Sequence, residues 1–463
     1  MDFRELTPVE IERLAAIVGP EHVLTGDHIP DDYSRDELGD LRRRPSVVVE
    51  PGSAAEISRI MAFASEHVIP VTVRGSGTGL CGGCVPERGG ILLLTTRLNR
   101  ILEIDTDNLT ATVEPGVILL DFQEEVERLG LLYAPDPGER SATIGGNVST
   151  NAGGMRAVKY GVTRDHVLGL EVVLPTGEIV RLGGKTVKNS SGYSLLHLVI
   201  GSEGTLGIIT KIIVKLLPRP QRTVTLLVPF PSLSRAIGTV PKMIKSRYIP
   251  QSMEFMEREV MLHAEEYLGK AFPHTSAPAY LLLRFDGETR EDLKQAYDRV
   301  AQICLEEGAE DVLIADTVDR QASLWDARAV LLEALKASGE MDEADVVVPP
   351  RAIAAFVDYT KELEGRFGLR IRSFGHAGDG NVHVYIMRGD LDETTWKRRK
   401  DELLRALYAK GRELGGQISG EHGIGAAKRQ YLIEALEPPV LELQRRIKAA
   451  FDPLHILNPG KVI

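Results

Sequence analysis

The chain has 463 residues, of which 43% are hydrophobic and 26% charged, a composition typical of a globular protein of two or three domains. Its net charge of −11 argues against nucleic acid and anionic membrane surfaces as partners, and no apolar leader or long uncharged stretch predicts membrane insertion. We therefore expect a cytoplasmic protein. Three cysteines are too few for a usual four-thiolate iron–sulfur cluster. Cys81 and Cys84 have dithiol spacing, which fits either a redox pair or two small side chains lining a tight loop.

The first predicted elements lead into a glycine-rich loop. A helix is predicted over 54–67 and a strand over 69–74, and the glycines of the following loop, Gly77, Gly79 and Gly82, match the G-x-G-x-x-G pattern of dinucleotide sites. That pattern requires a helix immediately afterwards, which further glycines and a proline oppose. The loop is therefore predicted to cradle phosphate with its backbone N–H groups, without a helix.

The longest run of small residues covers 135–154. It is not repetitive, and strand and turn signals flank it, although a disordered linker is the compositional alternative. Small side chains with N–H and hydroxyl donors suit a segment that lies against a large cofactor bearing phosphate. The elements predicted around this run are strands over 91–96 and 109–114, a helix over 117–129, a hairpin over 169–182 and a strand over 207–217.

Three segments of this region carry a family resemblance. The loop at 74–79, the run at 135–154 and the segment 200–210 resemble the FAD-binding domain of the vanillyl-alcohol-oxidase/PCMH superfamily. The resemblance implies a PCMH-type domain over 1–217 and FAD held non-covalently, since Thr78 stands where covalently flavinylated members carry histidine. The residues then expected to contact FAD are Arg74, Gly75, Ser76, Gly77, Thr78, Gly79, Pro137, Gly138, Ser141, Gly145, Gly146, Asn147, Ser149, Gly204, Ile209 and Asn458.

Strands and helices alternate again from 223 to 316, in an order that predicts a ferredoxin-like α+β cap. The predicted cap elements are strands over 223–230, 252–256, 280–286 and 311–315, with helices over 233–244 and 290–307. A further helix places Trp325 and Arg328 on one face. Arg328 is either an ordinary solvated arginine or a clamp for a substrate carboxylate. The expected division is a cap domain over 218–418 and a C-terminal segment over 419–463.

Two histidines flank a predicted tight turn. The Asp-Gly pair at 379–380 favours a two-residue type I′ turn, which would pair His376 directly with His383. Two surface histidines beside a turn is the plainer interpretation. Glu421, in the glycine-rich loop 419–425, adds a carboxylate, and two His with one Glu form a three-ligand set with an open position, the pattern of catalytic metal sites. Helices are predicted near 395–414 and 427–451.

The order of cap, hairpin, glycine-rich loop and Asn-Pro-Gly-Lys tail resembles the family of FAD-linked D-2-hydroxyacid enzymes that contains D-lactate dehydrogenases and the D-subunit of glycolate oxidase. Within it, the stretch 341–349 and the loop at 74–79 are most similar to D-lactate dehydrogenases coupled to electron-transferring flavoprotein. The resemblance implies that His376, His383 and Glu421 bind a divalent metal. Zinc, iron and manganese all suit such a set. It also implies that His422 is the catalytic base.

The implied function is FAD- and metal-dependent oxidation of D-lactate to pyruvate. The D-subunit of glycolate oxidase and D-2-hydroxyglutarate dehydrogenase are the alternatives. Glu343 stands where the latter enzymes carry a lysine for the distal carboxylate, and Leu332 replaces a threonine of theirs. The chain offers no onward electron carrier, so the acceptor should be external: electron-transferring flavoprotein first, and an iron–sulfur subunit as runner-up.

Two other classes of function are compatible with parts of the sequence. A metal-dependent hydrolase could use the same three ligands without a redox cofactor, but it leaves the run at 135–154 unexplained. A non-catalytic flavin-storage protein leaves the clustered ligands unexplained. The appearance of a flavin absorbance band would dismiss the hydrolase.

Overall fold

The computed structural model describes residues 3–37, 41–274 and 276–463, so that residues 1, 2 and 38–40 of the predicted FAD-binding domain and residue 275 of the predicted cap lie outside the description. The strands, in chain order, are β1 (Val23–Thr25), β2 (Val47–Val49), β3 (Val71–Arg74), β4 (Ile91–Leu94), β5 (Ile101–Asp105), β6 (Thr110–Val113), β7 (Leu131–Leu132), β8 (Val167–Val173), β9 (Ile179–Gly183), β10 (Ile208–Lys215), β11 (Leu217–Pro218), β12 (Arg222–Phe230), β13 (Ser252–Glu257), β14 (Ala279–Gly287), β15 (Leu313–Ala315), β16 (Met341–Val347), β17 (Arg370–His376) and β18 (Asn381–Met387). The α-helices are α1 (Pro8–Val18), α2 (Ala54–His67), α3 (Leu119–Arg128), α4 (Ile144–Thr150), α5 (Ala157–Tyr160), α6 (Thr163–His166), α7 (Leu195–Val199), α8 (Leu233–Lys245), α9 (Arg258–Leu268), α10 (Arg290–Glu306), α11 (Val318–Ala329), α12 (Leu331–Ala337), α13 (Ile353–Phe367), α14 (Glu393–Glu413), α15 (Arg429–Ala435) and α16 (Pro438–Phe451). None of these helices is long and apolar enough to cross a membrane.

The chain forms two compact units, and neither is continuous in sequence. The first unit consists of Met1–Ala152, Val162–Arg219 and His422–Ile463, and the second of Gly153–Gly161 and Pro220–Glu421. The division falls between Glu421 and His422, so that these sequence neighbours belong to different units.

The first unit contains two main sheets. One has the order β1-β2-β4-β3, with β2, β4 and β3 parallel, and the other is an antiparallel sheet of order β5-β6-β10-β8-β9. Helix α2 covers the first sheet because its buried side chains, Ile57, Ile60, Met61 and Ala64, recur at helical spacing on one face. Ser53 begins this helix by accepting a hydrogen bond from the Glu56 N–H. The predicted helix over 54–67 is confirmed.

The small-residue run at 135–154 is ordered. Its second half forms α4, which begins at Thr143, whose hydroxyl accepts the Gly146 N–H at 3.2 Å. A side chain at Gly145 would clash with Pro115, so glycine allows the helix to lie close to the neighbouring backbone. The disordered-linker interpretation is therefore wrong.

The second unit is built on a seven-stranded antiparallel sheet of order β15-β12-β14-β13-β17-β18-β16. Its first four strands, numbered by their own chain order, read 4-1-3-2, which is the ferredoxin-like arrangement predicted from the sequence. The hairpin β17–β18 and strand β16 extend this sheet at its β13 edge. Helix α9, which the sequence analysis missed, packs with α11 and α12 in one apolar cluster against the sheet.

The single helix predicted near 427–451 is wrong. The structure ends α15 at Ala435 and begins α16 at Pro438. A proline inside a helix removes a hydrogen bond and clashes with the preceding turn, whereas at the first helical position it is tolerated. The pair Pro438-Pro439 therefore divides the segment into two helices.

Candidate metal and flavin site

The hairpin that carries the two histidines has a different register from the one predicted. His376 pairs with Asn381, and Phe374 pairs with His383, so the connection has four residues, 377–380. Gly380 has a φ of +90°, but a type I′ turn needs two successive positive values. The predicted two-residue turn and direct His376–His383 pairing are therefore wrong. Because the register differs by two residues, both imidazoles still lie on the same face of the sheet.

His376, His383 and Glu421 are brought together within the second unit. The two Nε2 atoms are 3.5 Å apart, and Glu421 Oε1 lies 3.3 Å from Nε2 of His376 and 3.4 Å from Nε2 of His383. A tetrahedral ion bound at 2.0–2.1 Å requires ligand atoms separated by about 3.3–3.4 Å. These three atoms could therefore hold one divalent ion and leave a fourth position open.

Glu254 fixes the orientation of His376. This glutamate lies in the middle of β13 with no exposed surface, and its Oε1 is 2.7 Å from His376 Nδ1. Burial raises the pKa of Glu254, but the charges of His376 and Arg328 outweigh it and lower the pKa overall. An Nδ1–H donated to Glu254 leaves the Nε2 lone pair directed at the ligand cluster, as in most histidine metal sites.

Arg328 is buried in an ion pair and is not a solvated side chain. Its Nε donates to Glu254 Oε2 at 2.8 Å, its Nη2 lies 2.6 Å from the same oxygen, and its guanidinium stacks over Phe374 at 4.7 Å. Among the described residues, no hydrogen bond uses its Nη1. Arg328, Glu254 and His376 thus form one continuous polar chain.

Glu343 lies near the same imidazoles, on β16 opposite Tyr385. Its Oε1 is 3.7 Å from His383 Nδ1, and burial, followed by the charge of Glu343, raises the pKa of Tyr385 well above its ordinary value. Glu343 is thus an acidic residue close to the ligand cluster. Leu332, in contrast, packs against the apolar cluster of α9, α11 and α12.

His422 belongs to the first unit, where the loop that follows it is firmly held. The Glu203 carboxylate accepts the N–H groups of Ile424 and Gly425, both at 2.7 Å. The Cys81 thiol contacts the Gly423 carbonyl at 3.3 Å. Burial raises the pKa of Glu203 despite these two N–H donors. The backbone just after His422 is thus fixed by a residue that the sequence analysis did not single out.

The loop after β3 has the features of a phosphate cradle. Among the described residues, no hydrogen bond uses the backbone N–H groups of the loop 75–79. The Arg74 guanidinium is buried beneath this loop, where it donates to the Arg35 carbonyl at 2.6 Å. By contrast, the N–H groups at the start of α4 already donate to backbone carbonyls. The Ile144 N–H donates to the Val117 carbonyl, and the Gly145 N–H donates to the Pro115 carbonyl. Of the two glycine-rich segments, the loop at 75–79 therefore fits an anion better.

Each of two buried amides in the first unit has one polar atom without a partner among the described residues. The Asn147 Nδ2 and Asn458 Oδ1 atoms have no hydrogen-bond partner among the described residues, although both side chains are almost fully buried. Asn458 Nδ2 donates to the carbonyls of Glu203 and Gly83, and a side chain at Gly204 would touch it. Buried polar atoms are rarely left unpaired, so a polar ligand at this place fits the residues present.

The remaining residues predicted to contact the flavin lie in different structural elements. Pro137, Gly138 and Ser141 lie in the loop before α4, and the Ser141 hydroxyl donates to Glu139 at 2.6 Å. Ser149 donates to the Gly145 carbonyl inside α4. The side chain of Ile209 is part of the apolar core of the five-stranded sheet. Ile209 can thus contribute to a cofactor site only through its backbone or by packing behind it.

The sequence analysis missed Glu254 and Asp345, which support the ligand cluster. Both are fully buried acids whose immediate sequence neighbours are apolar, and a charged residue buried in a strand is rarely left without a partner. That anomaly was the available signal. Their partners, however, lie far away in sequence.

Two family models match this chain, and known relatives match it along nearly its whole length. The family of FAD-linked oxidase C-terminal domains matches residues 219–462, and an FAD binding domain matches residues 45–183. The chain is 47% identical to a D-lactate dehydrogenase of Anaerostipes hadrus over 99% of this chain and 98% of that protein. It is 42% identical to glycolate oxidase subunit GlcD of Bacillus subtilis, over 97% of this chain and 96% of that protein.

Solved structures show the same fold at low sequence identity. p-Cresol methylhydroxylase with substrate bound matches with a TM-score of 0.81 at 18% identity, covering 99% of this chain and 97% of that one. The 4-ethylphenol oxidase of Gulosibacter chungangensis matches with a TM-score of 0.79 at 22% identity, over 98% and 96%. The predicted fold class, a PCMH-type FAD-binding domain with an α+β cap, is confirmed.

Proposed function

The chain belongs to the FAD-linked oxidase family, with D-lactate dehydrogenases and the glycolate oxidase protein GlcD among its relatives, and on that premise we propose that it oxidises D-lactate to pyruvate with FAD and a divalent metal ion. The observation that carries the metal dependence is the ligand cluster of His376, His383 and Glu421, with mutual separations of 3.3–3.5 Å. Zinc, iron and manganese all accept this donor set.

The flavin would bind in the first unit without a covalent bond. The N–H groups at 75–79, which no described residue accepts, suit its pyrophosphate, and the Asn147 Nδ2 and Asn458 Oδ1 atoms, which have no partner among the described residues, suit its polar ring edges. Thr78 offers no imidazole for attachment. When bound, the metal lowers the pKa of the substrate hydroxyl, and the flavin accepts the two electrons.

The protein's own residues bind the substrate and move its proton. Among the described residues none bonds Arg328 Nη1, and Glu254 holds the other two guanidinium nitrogens, so Arg328 is pre-oriented for a substrate carboxylate. His422 takes the proton of the substrate hydroxyl, because imidazole is the side chain that most often acts as a general base in proteins. The fixed backbone after His422 limits its movement.

Glu343 supports a small monocarboxylate as the substrate. A second carboxylate near His383 would face this acid, which lies 3.7 Å from that imidazole. Two like charges repel each other in a buried site, where the low dielectric screens them little. D-lactate and glycolate avoid that repulsion, whereas D-2-hydroxyglutarate does not. Glycolate oxidation is the second candidate, supported by the similarity to GlcD.

The electrons would pass to a separate protein, with electron-transferring flavoprotein first and an iron–sulfur subunit second. The three cysteines do not suffice for a four-thiolate cluster within this chain. The isolated protein should reduce an artificial dye with D-lactate but should not reduce NAD⁺. NAD⁺ reduction should appear only after a flavoprotein partner is added, and direct stoichiometric NAD⁺ reduction would contradict this part of the proposal.

A screen of 2-hydroxy acids tests the proposal. D-lactate, L-lactate, glycolate and D-2-hydroxyglutarate are compared with a dye acceptor, before and after chelation. D-lactate should give the highest kcat/KM, chelation should abolish turnover, and added Zn²⁺, Mn²⁺ or Fe²⁺ should restore it. A higher kcat/KM for D-2-hydroxyglutarate would contradict the substrate assignment.

A further inference from the structure

We propose that Asp345 is the positioning residue of the metal centre, because its carboxylate fixes the loop at 419–421 so that Glu421 meets both imidazoles. The inference rests on the proposed metal site and adds a residue that does not itself belong to the ligand cluster. Asp345 lies on β16 and has no exposed surface.

The Asp345 carboxylate accepts hydrogen bonds from one loop and from one neighbouring strand. Its Oδ2 accepts the Ser419 hydroxyl at 2.9 Å, the Gly420 N–H at 3.0 Å and the Glu421 N–H at 2.9 Å. Its Oδ1 accepts the Asn381 amide at 2.6 Å. One side chain therefore holds the first three residues of the glycine-rich loop, the last of which is Glu421.

The same carboxylate is tied to the strand that carries the histidines. Asp345 stands opposite His383 in the β16–β18 ladder, and Asn381 stands opposite His376 in the β17–β18 ladder. A side chain at Gly420 would lie 2.5 Å from the Asn381 amide, so the loop approaches this strand as closely as its backbone allows. The link from Asp345 to Asn381 thus fixes the distance between Glu421 and the imidazoles.

An amide at this position cannot reproduce the contacts. In D345N, the amide oxygen can accept the three loop donors only if the NH₂ group faces Asn381, whose own amide must then turn over and give up its hydrogen bond to the Val346 carbonyl. The opposite rotamer leaves the loop donors facing an NH₂ group. The exchanged pair D345N/N381D restores one donor and one acceptor across this contact.

Another aspartate of the same unit, whose side chain is also buried, offers a matched control. Asp286 accepts hydrogen bonds from Lys159, Tyr160 and Gln251, and it takes no part in the ligand cluster.

The test measures metal affinity by competition with a chromophoric zinc chelator, using flavin-loaded wild-type protein, D345N, D345N/N381D and D286N. Removing a residue that supports a ligand weakens metal binding by about 10–100-fold, which is the loss expected in D345N. The exchanged pair should recover most of it, and D286N should bind zinc as the wild type does. Flavin content should be equal in all four proteins.

The outcomes separate this inference from the proposed function. Zinc binding in D345N within about twofold of wild type, or an equal loss in D286N, would overturn the positioning role of Asp345 while the metal site stands. Wild-type protein that binds no zinc, manganese or iron would overturn the metal site and this inference together. If D345N does not fold, Ser419→Ala tests the same contact. Binding weakened by about fivefold would then support the inference, and unchanged binding would overturn it.

Discussion

Substituting Glu254 with glutamine should destabilise the second unit substantially. The wild-type carboxylate is fully buried and holds two partners, His376 Nδ1 at 2.7 Å and Arg328 Nε at 2.8 Å. E254Q keeps the shape of the side chain but leaves the buried guanidinium of Arg328 without its counter-charge. Removing one partner of a buried ion pair costs about 3–5 kcal/mol. Since the amide oxygen still accepts one hydrogen bond, we expect a loss near the lower value, about 3 kcal/mol.

Glu257 provides a matched control on the same strand. It pairs with Lys361, whose side chain is 52% exposed, so that E257Q should cost no more than about 1 kcal/mol. Both tryptophans of the chain, Trp325 and Trp396, lie in the second unit, so tryptophan fluorescence reports the unfolding of this unit. Metal-free protein is used, because a bound ion would add its own stabilisation.

Urea unfolding of the metal-free proteins, followed by tryptophan fluorescence, measures the effect. The E254Q midpoint should fall well below that of E257Q. The double variant E254Q/R328M should lose less than the sum of the two single variants, because the two side chains interact directly. Equal midpoints for E254Q and E257Q, or strict additivity in the double variant, would refute the argument that Glu254 and Arg328 stabilise each other.

Three further outcomes follow from the site. His422→Ala should lower kcat by about 10²–10⁴-fold while metal content stays near that of the wild type; loss of the metal would instead make His422 a ligand. Glu343→Lys should raise kcat/KM for D-2-hydroxyglutarate relative to D-lactate, and an unchanged ratio would remove Glu343 from substrate selection. Burial raises the pKa of Cys84 to about 11, so only about one thiol in a thousand is ionised at pH 8. Iodoacetamide should therefore modify Cys84 only after unfolding, and rapid labelling of the native protein would favour a redox thiol.

Patterns local in sequence predicted most of the elements. Apolar spacing predicts helix α2, and the alternation of strands and helices predicts a ferredoxin-like cap, which the structure contains. Pro438 lies inside a helical pattern, and that pattern alone predicts one helix where the structure has two.

Local sequence patterns do not predict contacts between residues that are far apart in the chain. The Asp-Gly pair favours a two-residue turn, but the structure forms a four-residue connection in which the Gly380 N–H donates to the His376 carbonyl. The two histidines nevertheless share a face, since a shift of two residues preserves alternation. Glu254 and Asp345 act on residues 122 and 76 positions away, and no spacing rule links such pairs.

Anaerobic single-turnover reduction of the flavin by D-lactate tests the central claim most directly. Metal-loaded and metal-free preparations of the same flavin-containing protein are mixed with D-lactate, and the loss of flavin absorbance is followed in time. We predict rapid loss in the metal-loaded protein, little or none in the metal-free protein, and recovery on adding the ion back. Equally rapid reduction without any metal would contradict the account that His376, His383 and Glu421 hold an ion essential to the reaction.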